Sequence, residues 1–232
     1  MIEVPKIEII RRVFAITADK KSSGSSLLFS FNGVSYFITA AHVLGDMEEG
    51  KAAKLYIYRD NSWIDVDVIP FYVSGRPYQN GDIDIAVLKT NVIREEKEFN
   101  VLSSENMTFG QDAYFLGFPY FGGAIQHSPE PINKNFPLPF VKKAIVSSMQ
   151  ESILYLDGHN NPGFSGGPVI FWNHRKKKHQ ISAIISAYLT QEGEIKRIET
   201  STKEFYSENS GIGVAYDIRF ARELIEKIDN QS

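Results

Sequence analysis

Apolar residues in this chain gather in short runs, some alternating with polar residues and some continuous, and the runs are broken by turns rich in Gly, Asn, Ser and Pro. That pattern predicts β-strands. Val13–Thr17 reads as the first. Leu27–Phe31 and Val34–Thr39 read as a hairpin, because Asn32-Gly33 supplies the left-handed residues that a tight turn requires. Lys54–Tyr58, Trp63–Pro70 and Ile83–Leu88 continue the pattern. Ala113–Leu116, Val141–Ser147, Ile153–Leu156, Pro168–Trp172, Gln180–Leu189, Ile195–Thr200 and Gly211–Tyr216 repeat it further on. The period changes at the end of the chain. Ile218, Ala221, Leu224, Ile225 and Ile228 fall on one helical face behind Asp217 as a cap, which predicts a helix over about 217–228. Residues 1–12 fit either a short strand or a helical lead-in. Lys20–Ser26 and Gly75–Gly81 read as turns, and Asn91–Ser104 as a linker. Pro119–Pro139 is the longest irregular stretch and reads either as a functional loop over a site or as a variable surface insertion.

One irregular segment carries candidate chemistry. In Asn161-Pro162-Gly163-Phe164-Ser165-Gly166-Gly167-Pro168, small and special-backbone residues crowd one serine. Glycine lets the backbone take unusual turns and lets another chain approach closely. A nucleophilic serine needs both, with neighbouring amides turned toward one point to hold an oxyanion. The same residues also suit an ordinary turn between strands. Upstream, Thr39-Ala40-Ala41-His42-Val43 places a histidine after an apolar strand, and Asp82-Ile83-Asp84-Ile85-Ala86 places carboxylates at the head of another. A serine hydroxyl requires an adjacent base, and the imidazole requires an acceptor on its other nitrogen.

With these three stretches in the order His, Asp, Ser, the chain resembles the trypsin-like (chymotrypsin-fold) serine peptidases, and among them the HtrA-like bacterial branch. Asp84-Ile85-Ala86-Val87-Leu88, Phe115-Leu116-Gly117-Phe118-Pro119 and Gly211-Ile212-Gly213-Val214-Ala215 extend the likeness over roughly residues 10–225. The resemblance implies an all-β protein of two six-stranded antiparallel barrels with a C-terminal helix. It implies His42 as base, Asp84 as orienting carboxylate and Ser165 as nucleophile, with the amides of Gly163 and Ser165 as the oxyanion hole. Asp82 competes with Asp84, which is preferred because the family's strand follows it. The resemblance also lines a substrate pocket with His159, Ser186, Tyr188 and Gly213, suited to small or apolar side chains, or to acidic ones if His159 is charged. His159 is equally readable as a surface loop residue. Phe164 stands where animal trypsins carry an aspartate that clamps a cleaved N-terminus, so hole formation is expected to depend on loop packing, a partner or an oligomer. HtrA enzymes usually carry a PDZ module, and none is read here.

Composition narrows the rest. The chain has 232 residues, 43% of them hydrophobic, a net charge of −3 and no cysteine. That supports a buried core and gives no reason to expect nucleic acid or an anionic membrane as partner. The missing thiols and an N-terminus without a basic head and apolar core read as cytoplasmic. The cluster Arg175-Lys176-Lys177-Lys178 reads as a solvated hairpin tip, with His174 and His179 in solvent beside it. The five histidines lack zinc spacing, so neither metal nor cofactor is expected. The division expected is residues 1–100 for a barrel carrying His42 and Asp84, and 101–232 for a barrel carrying Ser165. The function expected is a serine endopeptidase acting on protein or peptide through an acyl-enzyme, regulated by loop ordering. A latent peptidase fold that only binds polypeptide, and an esterase using the same triad, remain open.

Overall fold

In the computed structural model, residues 4–21, 23–74, 82–91, 102–120, 128–197 and 202–231 are described. The predicted loop at 75–81, most of the predicted linker, the centre of the Pro119–Pro139 stretch and His127 lie outside them. β1 (Val13–Thr17), β2 (Gly24–Phe31), β3 (Val34–Thr39), β4 (Ala53–Arg59), β5 (Ser62–Tyr72) and β6 (Ala86–Thr90) close into an antiparallel barrel in the order β1-β2-β3-β6-β5-β4. β7 (Asp112–Gly117), β8 (Phe140–Gln150), β9 (Ile153–Asp157), β10 (Pro168–Asn173), β11 (Lys178–Arg197) and β12 (Thr202–Asp217) close into a second, in the order β7-β8-β9-β12-β11-β10. The two orders are one pattern displaced by six strands. Closure removes the unpaired strand edges that an open sheet would expose.

The period-2 pattern sorts the apolar residues into three cores. Phe14, Ile16, Leu28, Phe37, Leu55, Ile57, Val66, Val68 and Leu88 fill the first barrel. Phe115, Val146, Leu154, Leu156, Phe164, Val169, Phe171 and Ile185 fill the second. The residues between them in sequence (Val13, Ala15, Leu27, Phe29, Tyr36, Ile38) point the other way and pack with Leu116, Phe118, Ile170, Ile181 and Ile184 of the second barrel. Several strands are therefore buried on both faces, and the barrels share an apolar seam.

The Asn32-Gly33 hairpin forms between β2 and β3, with φ of 48° and 76° at the two residues. Asp60 and Asn61 make a second left-handed tip, at φ 48° and 59°, between β4 and β5. The lead-in resolves as one helical turn, α1 (Ile7–Ile10). The terminal helix is α2 (Arg219–Asp229), whose Ala221, Ile225 and Ile228 are buried in the seam. Asp217 Oδ1 accepts the Arg219 N–H at 2.8 Å, so the predicted capping side chain reaches the helix from two residues ahead. Several strand boundaries differ from the sequence pattern, among them that of β12, which begins at Thr202 rather than at Gly211. β2 begins at Gly24, inside the predicted turn, because Gly24, Ser25 and Ser26 pair with Ile16, Ala15 and Phe14. β11 runs unbroken to Arg197 through two register shifts, so the predicted strand at Ile195 is its continuation. β6 begins only at Ala86, and Asp84 precedes the ladder. The basic tip is solvent-exposed at Arg175–Lys178, but His179 is buried, 5% exposed, with its ring edge-on to Trp172 at 5.0 Å. It lies opposite Trp172 in the β10–β11 register, and that pairing overrides its basic neighbours.

Candidate active site

His42 lies in a 3₁₀ turn, Ala41–Leu44, directly after β3. Ala40 and Ala41 are fully buried, and their small side chains let this turn pack down on the first barrel's core. Asp84 meets it from the head of β6. The Ile85 N–H donates to Ile83 O at 2.9 Å, a three-residue turn with Asp84 at its apex. Asp84 then accepts from His42 twice. The His42 backbone N–H reaches Oδ1 at 3.0 Å, and the imidazole Nδ1 reaches Oδ2 at 2.6 Å. With the carboxylate as acceptor, Nδ1 is the donor, and in the neutral imidazole that tautomer makes Nε2 the acceptor. The imidazole is half exposed and Asp84 is buried, so the base faces solvent while its partner does not.

Ser186 completes the carboxylate's surroundings. Its Oγ donates to Asp84 Oδ2 at 2.5 Å, and its carbonyl accepts from Ser165 Oγ at 3.0 Å. The register shift between Ile185 and Ala187 takes Ser186 out of the β11–β12 ladder, which frees both groups to turn toward the site. The structure thus brings His42 and Asp84 into direct contact and brings Ser165 to the residue that touches Asp84. The Ser165 hydroxyl is engaged by the Ser186 carbonyl rather than by the imidazole. Burial raises the Asp84 pKa, but the hydrogen bond and charge of His42, the Ser186 hydroxyl and the His42 amide together outweigh it and hold the carboxyl at about 2. Its folded pKa lies below the unfolded value, so the stability it contributes is present above about pH 3.8 and is lost as pH falls toward 2. The contribution is on the order of 2 kcal/mol. The expected result is a urea midpoint that drops between pH 4 and 2, by an amount that Asp84→Asn reduces. An unchanged dependence in that variant would count against the assignment.

The segment before Ser165 is a turn. The Phe164 N–H donates to Asn161 O at 3.2 Å, with Pro162 and Gly163 between them and Gly163 at φ +100°. Proline followed by a positive φ is the signature of a type II turn. A Cβ on Gly163 would lie 2.3 Å from Phe118 O. The Pro162 carbonyl accepts from the Tyr120 N–H at 3.3 Å, and in a trans peptide the Gly163 N–H points the opposite way. Phe164 is fully buried in the second barrel's core, edge-on to Phe115 at 5.0 Å. The Lys142 ammonium lies 5.6 Å from the Phe164 ring centroid and donates to Asn161 Oδ1 at 3.0 Å and to the His159 carbonyl. Partial burial lowers its pKa.

The pocket candidates spread around this turn. His159 is exposed, and its carbonyl rather than its ring is engaged. Tyr188 is half-buried directly across the ladder from Gly213. Asn160, which the sequence did not mark, is 2% exposed and donates to Ala187 O at 3.0 Å, tying the segment to β11. Ser25 and Lys142 were also unmarked. Their partners lie far along the chain, and no local pattern encodes them. Among the described residues, no three His, Cys, Asp or Glu side chains gather as a metal would need.

A model of the trypsin-like peptidase domain matches residues 24–176. No curated protein matches the chain. Among solved structures, it is similar to the serine endoprotease from Yersinia pestis, at 20% identity over 97% of this chain and 67% of that one, with a TM-score of 0.59. It is also similar to Rv3671c from M. tuberculosis H37Rv, solved in an inactive form as a serine-to-alanine mutant, at 14% identity over 99% and 97% of the two chains, with a TM-score of 0.58. The HtrA-type protease AlgW, solved with a tripeptide, is 19% identical over 94% of this chain and 60% of its own, with a TM-score of 0.59. At these identities the likeness is one of fold.

Proposed function

Because the chain belongs to the trypsin-like peptidase domain family, we propose that it is a serine endopeptidase whose triad is His42, Asp84 and Ser165. The observation that carries the reading is the forked hydrogen bonding of His42 to a buried, ionised Asp84, with Ser165 held one residue away through Ser186. Residues 1–100 supply base and carboxylate, and residues 101–232 supply the nucleophile. A peptide lies across the cleft between the barrels. The reaction requires the Ser165 hydroxyl to exchange the Ser186 carbonyl for His42 Nε2 as its partner, by rotation about its Cα–Cβ bond. His42 takes the hydroxyl proton as Oγ attacks the peptide carbonyl, and Asp84 stabilises the imidazolium. The N–H groups of Gly163 and Ser165 receive the oxyanion. The leaving amine takes the proton from His42 and an acyl-enzyme forms. His42 then takes a proton from water as the water oxygen attacks the acyl carbonyl, and returns it to Ser165 Oγ as the acid leaves. His159, Tyr188 and Gly213 border the acceptor for the side chain before the cut. Loop ordering governs activity through the contacts of Tyr120 and Lys142 with residues 159–162. The cysteine-free composition supports a reducing, cytoplasmic setting.

A second reading, a latent fold that binds polypeptide without cutting it, is favoured by the engagement of Ser165 with the Ser186 carbonyl. One experiment separates them. A fluorophosphonate probe is expected to label the folded wild-type protein at Ser165, and labelled casein is expected to be cleaved. Binding of casein with no labelling at any pH from 6 to 9 would establish the latent reading and end the enzymatic one.

A further inference from the structure

Ser25 belongs to the first barrel, yet it meets the nucleophile's loop at two points and ties it to Phe118 and Thr39. It is fully buried on β2. Its Oγ donates to the Gly163 carbonyl at 2.7 Å and accepts the Phe118 N–H at 3.0 Å. Its backbone N–H donates to the Ser165 carbonyl at 2.7 Å. Its own carbonyl accepts from Thr39 Oγ1 at 2.8 Å, which fixes Ser25 to β3 just ahead of the His42 turn. Both ends of the segment 163–165 are therefore held by one residue of the opposite barrel, through bonds spanning 138 positions in sequence on the Oγ side.

We infer that Ser25 is a positioning residue for the oxyanion hole, setting the Gly163 amide by clamping the carbonyl of that residue. The inference rests on the peptidase reading and adds a role for a residue outside the triad. A peptide plane has few ways to move. The plane before Gly163 is pinned by the Tyr120 N–H on the Pro162 carbonyl, and the plane after it by Ser25 Oγ on the Gly163 carbonyl. With both planes held, the glycine between them keeps φ +100° and its N–H stays turned away from Tyr120. Glycine alone would let this turn flip at little steric cost. Without the hydroxyl, the Gly163 carbonyl and the Phe118 amide both lose their buried partner. The cheapest remedy is to rotate the carbonyl toward water, and the amide at the hole moves with it. Because the same residue is bonded to Thr39, the clamp also fixes the distance between the hole and the base.

The test uses the full chain with Ser25→Ala, and with Ser25→Cys as a same-size side chain that is a weak donor. Fluorophosphonate labelling of Ser165 is expected to slow by about tenfold or more in Ser25→Ala, since small misplacements of a hole are costly, and by less in Ser25→Cys. The pH inflection of labelling is expected to stay at the wild-type value in both, because the His42–Asp84 pair is untouched. For a cleaved peptide, kcat is expected to fall while KM holds. Hydrogen–deuterium exchange is expected to rise in segments 116–120 and 159–167 and not in β4 or β5. The inference is overturned if both variants label within about twofold of wild type, or if exchange at those segments is unchanged. A shifted pH inflection, or exchange rising throughout both barrels, makes Ser25 a structural residue and overturns it too. A wild-type protein that refuses the probe ends the peptidase reading, whereas the exchange measurement still decides whether Ser25 holds the turn.

Discussion

Ser165→Ala is expected to keep the fold and to lose about 10⁶ in kcat on a cleaved peptide, because nucleophile and base act as one unit. The side chain is partly buried and makes one hydrogen bond, to the Ser186 carbonyl, so its removal leaves no cavity of consequence and a far-ultraviolet spectrum like that of wild type. Asp84→Asn is expected to cost about 10⁴, through loss of the tautomer that keeps Nε2 basic. The two changes are not expected to add. With the serine gone there is no proton for His42 to take, so Ser165→Ala/Asp84→Asn should turn over as slowly as Ser165→Ala alone. The double-mutant cycle on kcat/KM is the measurement. Costs that simply summed would mean that position 84 acts on something other than the nucleophile's base, and Ser186, which bonds to both, would become the residue to examine.

What the sequence made legible followed from residue type. Asn32-Gly33 declared a left-handed tip because few other residues take φ near +48° and +76°. The strands declared themselves as short apolar runs between turns, whereas the division of their residues between barrel interiors and shared seam came only with the fold. What was hidden depended on partners elsewhere in the chain. Gly24, Ser25 and Ser26 read as a polar turn, yet they pair with β1, and both serines are fully buried. The register shifts that carry β11 through Ser186 and past Leu189 have no local signature, so one strand looked like two. Asp84 was legible as a carboxylate at a strand's head. The turn that lifts it off the ladder and aims it at His42 was not, since it needs only the Ile83 carbonyl and the Ile85 amide. Lys142 was read as part of a strand, and only the fold brings its ammonium to Asn161.

Gly166→Ala is expected to be among the most destabilising single substitutions in the chain, and Gly33→Ala supplies the control that shows why. Both glycines have positive φ, +85° and +76°. At Gly33 a Cβ would meet nothing within 4 Å, so the change costs only the left-handed strain of about 1–2 kcal/mol. At Gly166 the same atom would fall 2.0 Å from the Ser25 carbonyl, 2.1 Å from Thr39 Oγ1 and 3.0 Å from the Ala40 amide. These atoms belong to the first barrel, and the Gly166 N–H is itself tied to the Ile185 carbonyl at 2.7 Å in the second. Neither side is a flexible side chain that can step aside. Relief requires the barrels to separate at the seam, which opens apolar surface and breaks the bonds of Ser25 to the nucleophile's loop. That adds several kcal/mol to the strain, against a total stability of about 5–15 kcal/mol for a domain. In urea titrations Gly33→Ala should shift the midpoint modestly, while Gly166→Ala should unfold near zero denaturant or fail to fold. Equal shifts at the two positions would mean that the barrels do not press together at residue 166, and the close approach that seats Ser165 against the first barrel would have to be abandoned.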